Sequence, residues 1–312
     1  MKNSAVYIQI IVSAAILLAL YFVIDVKQLL NTPFTVTISD AIEILFVLVV
    51  SLFARSIRWQ LLINYNQANK VSGNTSFKLL MVGLALNLVT PAKGGEVVKS
   101  YFGYKWTGIK ERMVSVSLLD KAIAIAAVGI LGIYSLAKTG SLVFAAAIAF
   151  SFAPLLFFMT FKWIMKIPPA KKVIEFVAAR IKRLDILSMM GQFNYPLDLM
   201  FISFLLSIIG WLTTFYLMFL CFKVVNLPIS FESVLIQSPL ITLGRLFPFT
   251  LNGIGSDELI AVYLFSSEHV SETLIVAGAL VYRIVVTVLP AVVGVYYLFT
   301  TRELENYRSI NQ

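Results

Sequence analysis

Seven ionisable residues stand within or against apolar runs of this chain: Glu96, Asp120, Lys121, Arg245, Asp257, Glu258 and Arg283. A charge in such surroundings costs several kcal/mol unless it is paired or hydrated, so each is a candidate for function. The chemistry open to them is electrostatic: they can pair with one another or hold an ionic ligand. Helix-breaking residues accompany them. Pro91, Gly94 and Gly95 precede Glu96, while Pro248, Gly253 and Gly255 precede Asp257 and Glu258. Pro and Gly interrupt the helical ladder and bare backbone N–H and C=O groups, which can receive an anionic head group or water. Further cations lie at the ends of apolar runs: Arg55 and Arg58 beside Trp59, and Lys93 and Lys99. Together with Arg245 they could capture a lipid phosphate, although two Arg one turn apart also serve as snorkelling anchors. Which carboxylate pairs with which cation is left open by the sequence.

Other chemistry is poorly supplied. The single His, His269, falls in a short polar loop, and the single Cys, Cys221, falls in an apolar run. No His-based triad, haem, zinc or thiolate site and no disulfide framework is expected. No GxxxxGK[ST] motif occurs, so transport driven by a P-loop ATPase within this chain is not expected. The expectation is no metal, no cofactor and no catalytic residue.

The elements that must position the charges follow from composition. Of 312 residues, 59% are hydrophobic and 13% charged, and the mean hydropathy is +0.89. A soluble protein of this size needs more polar surface. The run from Ala5 to Ile24 exceeds the length needed to cross about 30 Å of hydrocarbon. It is too long for a signal peptide and has no evident small-x-small cleavage site, so it reads as a retained first helix. The fold class is an all-α integral membrane protein. The net charge of +9 sits in loops beside spans, as the positive-inside rule and an anionic inner leaflet require, and does not call for nucleic acid.

Apolar segments recur near 5–24, 41–54, 77–90, 113–137, 142–161, 199–222, 233–249, 259–265 and 273–299. The loop after the second segment, carrying Arg55, Arg58, Lys70 and Lys78, is cytoplasmic by its charge, and the N-terminus, two spans earlier, is cytoplasmic too. The segment 77–90 is about 14 residues long with cations on both flanks, Lys93, Lys99, Lys105, Lys110 and Arg112 following it. A re-entrant hairpin that returns to the cytoplasm avoids translocating those five cations. Residues 233–265 are likewise broken in the middle by FPFTLNGIGSDE, and SSEHVSE after them has no Lys or Arg. That unit leaves and returns on the outside. The expected count is six full spans plus two re-entrant hairpins, with both termini inside; eight spans is the alternative. Residues 162–198 form a basic cytoplasmic linker, in which Val173, Phe176, Val177, Ile181 and Leu184 at helical spacing predict a surface-lying amphipathic helix.

The two broken units resemble each other. Each places Pro, then Gly, then a carboxylate ahead of a charged span, with Glu96 to Asp120 separated by 24 positions and Glu258 to Arg283 by 25. On the topology above they open to opposite sides. The whole chain, 1–312, then reads as one transmembrane domain with inverted pseudo-repeats near 41–161 and 199–300. Inverted repeats with interrupted short helices are common in transporters, whose site lies near the midplane.

With these residues in place, the chain resembles the lysylphosphatidylglycerol synthase transmembrane-domain family, also described as flippase-like. The resemblance covers roughly 5–300 and rests on RSIRW, LNLVTPAKGGEVVKSY, LLDKAI and FPFTLNGIGSDELI, then Arg283. It implies movement of an aminoacylated phospholipid, lysylphosphatidylglycerol, between leaflets of the plasma membrane. In the family's best-known members a separate cytosolic domain makes that lipid; here the chain ends about ten residues after the last span, so aminoacyl transfer by it alone is not expected. Lys99 stands where an Arg is usual and Asn252 where a second Gly is often found.

The leading expectation is therefore a lipid translocase, passive or ion-coupled, with membrane lipids as partners: an anionic or aminoacylated phospholipid, or a prenyl-phosphate lipid. Glu96, Glu258 and Arg283 would line the path, and Lys93, Lys99 and Arg55 would collect phosphates at the inner mouth. A membrane-embedded transferase in lipid-linked glycan or aminoacyl-lipid synthesis, or a non-catalytic partner of such an enzyme, are the alternatives. A separate lipid-modifying enzyme and self-association are left open as partnerships.

Overall fold

The computed structural model describes residues 12–16, 18–22, 24–31, 34–68, 70–90, 95–109, 111–164, 168, 195–245, 250 and 253–310. Among the described residues there is no strand. An apolar helical stretch, α1 (Val12–Phe22), and a short α2 (Val26–Leu30) lead into α3 (Ile38–Asn64). Then follow α4 (Gly73–Val89), α5 (Gly95–Thr107), α6 (Glu111–Thr139) and α7 (Leu142–Ile164). The second half comprises α8 (Leu197–Val224), α9 (Phe231–Gly244), α10 (Ser256–Phe265) and α11 (Glu272–Arg283). A π-helical turn, Ile284–Val288, joins α11 to α12 (Leu289–Ile310).

Four stretches are long and apolar enough to cross a bilayer: Arg112–Thr139, Leu142–Thr160, Leu197–Val224 and Glu272–Thr300. The molecule is an all-α membrane protein. Helix α3 has 27 residues, and its apolar face is interrupted by Arg55 and Arg58. The two pairs α4–α5 and α9–α10 are shorter than a span. At 1.5 Å per residue, α4 reaches about 26 Å, α5 and α9 about 20 Å each, and α10 about 15 Å. Each falls below the ~30 Å hydrocarbon core. Within each pair the helices pack on one another, and each pair breaks at the Pro/Gly stretch that sequence marks. The predicted amphipathic helix between Val173 and Leu184 lies outside the described residues.

Two apolar clusters hold the bundle. One gathers Leu52 of α3, Leu217 and Phe222 of α8, Phe265 of α10 and Ile275 and Tyr282 of α11. The other joins Trp59 and Leu62 of α3 to Leu79 of α4 and to Met113, Val116 and Ile123 of α6. Because lipid tails are as apolar as these side chains, close packing and interhelical hydrogen bonds contribute the specificity. The Ser76 hydroxyl donates to the Ser56 carbonyl at 2.9 Å, fixing α4 on α3. The Trp211 indole donates to the Ala124 carbonyl at 2.8 Å, fixing α8 on α6.

Helix α3 begins with a capping box. The Thr37 hydroxyl accepts from the Asp40 N–H, and the Asp40 carboxylate accepts from the Thr37 N–H at 3.1 Å. The Asp40 carboxyl is held down to about 2, first by the Thr37 hydroxyl, then by the Thr37 N–H and by Lys223 of α8, 3.2 Å away. A carboxyl depressed in the fold stabilises at pH above its unfolded value near 3.8, and that contribution is lost as pH falls toward 2. The expected result is that Asp40→Asn melts below wild type in detergent at pH 7, and that the gap narrows by pH 3. A gap independent of pH would assign the effect to something other than this charge.

Candidate functional site

Eight of the charges singled out by sequence line one cavity of about 250 Å³. Its walls come from α3, α4, α5, α6, α8 and α9 on one hand and from Asp257, Tyr282 and Arg283 on the other. Arg55, Arg58, Lys99, Asp120, Lys121, Arg245, Asp257 and Arg283 all line it.

One wall is organised by Arg58, which is 5% exposed. Its Nε and Nη2 form a two-pronged contact with the Asp120 carboxylate, the latter at 2.9 Å, and its Nη1 donates to Ser207 at 2.8 Å. That guanidinium therefore ties α3 to α6 and α8, and the fork geometry explains why Arg rather than Lys stands here. One turn earlier, Arg55 donates to the Thr214 hydroxyl at 3.1 Å and lies 5.5 Å over the Trp211 ring. Lys99, buried on α5, places its ammonium 5.2 Å over Trp59. These aromatic faces attract cations where water is scarce. Lys121 lies half-buried beside Asp120, and among the described residues it has no ion-pair partner.

The opposite wall is built on the break between α9 and α10. Gly253 (φ +76°) and Gly255 (φ +85°) take left-handed conformations that a side chain would strain. This fold-back starts α10 with Asp257 and Glu258 in its first turn, both buried. Arg283 donates through Nε and Nη2 to Glu258 at 2.9 and 2.7 Å, and through Nη2 to the Gly253 carbonyl at 2.9 Å. The other Glu258 oxygen accepts the Gly255 N–H at 2.8 Å. Asp257 lies between two guanidiniums, 2.9 Å from Arg245 and 3.4 Å from Arg283. Arg245 also lies 5.5 Å over Tyr282.

Gly95 has a different reason. A Cβ there would fall 2.6 Å from the Gly83 carbonyl and from the Asn87 amide nitrogen, so only Gly lets α5 start this close to α4. Two buried acceptors on the cavity wall, Asn87 Oδ1 and Asp257 Oδ1, have no donor among the described residues. Buried acceptors are ordinarily satisfied, so a donor from a ligand or water fits there.

Of the other sequence candidates, Glu96 lies in the first turn of α5, with its side chain outside the description, and Pro91, Lys93, Gly94 and Pro248 lie outside the described residues. Sequence left the pairing open. Asp120 turns to Arg58 rather than to its neighbour Lys121, and Glu258 takes Arg283. Sequence did not single out Ser207, Trp211, Thr214 and Tyr282. Each sits in a helical apolar run and resembles ordinary core; the available signal was that buried guanidiniums need several acceptors and that hydroxyls within a span supply them.

Compared with known proteins, the chain matches the model of the lysylphosphatidylglycerol synthase TM region over residues 6–294. No curated protein matches it.

Proposed function

The chain belongs to the lysylphosphatidylglycerol synthase TM region family, and from that premise we propose that it is a lipid translocase. A lipid head group enters the charged cavity while its tails stay in the bilayer, and it leaves toward the other leaflet. The observation that carries this reading is the cavity itself: eight ionisable side chains (Arg55, Arg58, Lys99, Asp120, Lys121, Arg245, Asp257, Arg283) line one space inside an otherwise apolar helical bundle. Several of these charges pair with one another, and the space they enclose still presents the unsatisfied acceptors Asn87 Oδ1 and Asp257 Oδ1 to a ligand or water. Short helices broken at Pro and Gly on both sides of that void fit the re-entrant units of transporters. In this reading the α4–α5 and α9–α10 pairs are re-entrant hairpins related as inverted repeats, added to six full spans. The protein resides in the plasma membrane with both termini cytoplasmic.

The test is fluorescent-lipid scrambling in proteoliposomes, read by quenching of outer-leaflet label. Wild-type protein is expected to expose label from both leaflets, whereas protein-free vesicles protect the inner half. Glu96→Gln and Glu258→Gln are expected to slow exchange. Equal exchange in wild type, variants and empty vesicles would overturn the reading.

A further inference from the structure

Lys121 of α6, Asn87 of α4 and Asp257 of α10 each bring to the cavity wall a polar group that has no partner among the described residues. The Lys121 ammonium is cationic and can only donate. Asn87 Oδ1 and Asp257 Oδ1 are buried and can only accept. These groups make opposite demands on a ligand. The ammonium calls for an anion, because a charge at this depth is costly unless paired. The acceptors call for donors, because a buried acceptor without one keeps its full desolvation cost. At Asp257 the donor has to be neutral. Arg245 and Arg283 both lie against the other oxygen, Oδ2, at 2.9 and 3.4 Å. An ammonium brought to Oδ1 would be repelled by both guanidiniums, whereas a hydroxyl carries no charge to repel. Asn87 Oδ1 is an uncharged amide oxygen, for which a hydroxyl is a sufficient donor. Thr242 and Thr287, whose hydroxyls donate or accept, line the same space.

Resting on the reading that a lipid head group enters this cavity, we infer that the head group is a neutral polyol on a phosphodiester. Lys121 meets the single phosphate charge as a point cation, and Asn87 and Asp257 accept from the polyol hydroxyls. The volume agrees. At about 250 Å³ the cavity lies below the ~300–1,000 Å³ range of drug-sized ligand pockets, so it suits a compact polyol such as glycerol. A phosphodiester ending in a bare alkyl group would satisfy Lys121 and leave both acceptors unmet. A lysyl ester on the glycerol replaces one hydroxyl by a longer arm with two amino groups, which Arg245 and Arg283 oppose.

The test is equilibrium binding to the full chain in detergent, read by tryptophan fluorescence, since Trp59 and Trp211 line the cavity. The probes are dioctanoyl phosphatidylglycerol, dioctanoyl phosphatidylmethanol and dioctanoyl lysylphosphatidylglycerol. The first two share their tails and their single negative charge, and only the first carries head-group hydroxyls. Phosphatidylglycerol is expected to bind about tenfold or more tightly than phosphatidylmethanol, and more tightly than the lysylated lipid; tenfold corresponds to about 1.4 kcal/mol. Two variants separate the roles. Asn87→Leu removes an acceptor that has no partner in the protein, so it is expected to melt at or above the wild-type temperature. It is also expected to narrow the glycerol-to-methanol preference several-fold while phosphatidylmethanol binding stays level. Lys121→Met is expected to weaken both phosphodiesters by the same factor and leave their ratio unchanged. If either variant does not fold, the wild-type affinity order decides. Phosphatidylmethanol binding as tightly as phosphatidylglycerol, the lysylated lipid binding tightest, or a preference that Asn87→Leu leaves intact would overturn the inference. The two readings fail separately. The expected affinity order without scrambling removes the translocase, and scrambling without the hydroxyl preference removes only this assignment.

Discussion

Arg283→Ala is expected to be the most damaging single change in the second half of the chain. The guanidinium is the donor to Glu258, which is 3% exposed, and to the Gly253 carbonyl, and it also flanks Asp257. Removing it leaves a buried carboxylate without its counter-charge, a loss that costs about 3–5 kcal/mol. Denaturation of the purified protein by titrated SDS measures the loss directly. Glu258→Gln is expected to cost less, because the amide oxygen still accepts from Arg283; the variant loses the charge and the oxygen that accepts the Gly255 N–H. A cost for Arg283→Ala below about 1 kcal/mol would mean that water already solvates Glu258, contrary to its burial. Because Arg283 also closes the α9–α10 break, scrambling by this variant is expected to vanish even in vesicles cold enough to keep it folded.

The second large effect separates structure from transport at Arg58 and Asp120. Asp120→Ala strands Arg58, whose side chain is 7% exposed, with Ser207 as its remaining partner among the described residues. The expected cost is again about 3–5 kcal/mol. Replacing both residues, Arg58→Met with Asp120→Leu, is expected to restore stability to within about 1 kcal/mol of wild type. Buried ion pairs are often no better than well-packed apolar residues of similar volume. Transport is expected to behave differently: scrambling by the double variant should stay depressed by about tenfold or more, the equivalent of about 1.4 kcal/mol. A double variant that is stable and scrambles at the wild-type rate would show that this pair only staples α3 to α6 and α8.

The membrane class and the two helix breaks were legible in sequence because both arise from local rules. A run of apolar residues has few other uses, and Pro91, Gly94, Gly253 and Gly255 cannot be read as uninterrupted helix. Gly95 illustrates the limit. Its flexibility was legible, but its purpose, letting α5 start against the Gly83 carbonyl, depends on a contact between helices that no local pattern encodes. The ionic residues were legible as a set and illegible as pairs. Asp120 and Lys121 are adjacent in sequence, yet neighbours on a helix point about 100° apart, so Asp120 meets Arg58 of α3 instead. The aromatic faces under Arg55 and Lys99 were hidden for a related reason, since a Trp within a span looks the same whether it faces lipid, core or cation.

The π-helical turn directly after Arg283 has a consequence for anyone scanning this helix by substitution. A π turn carries about one residue more than an α turn, which displaces everything beyond it by about 100° around the axis. Up to Tyr282 the helix keeps one phase, with Ile275, Ala279 and Tyr282 turned inward; beyond Val288, Ala291 and Gly294 are inward in another. Tolerance along 272–300 should therefore follow two superposed 3.6-residue rhythms with a skipped beat between them. A single helical wheel drawn through the whole segment will put Arg283 and Gly294 on the wrong faces relative to each other.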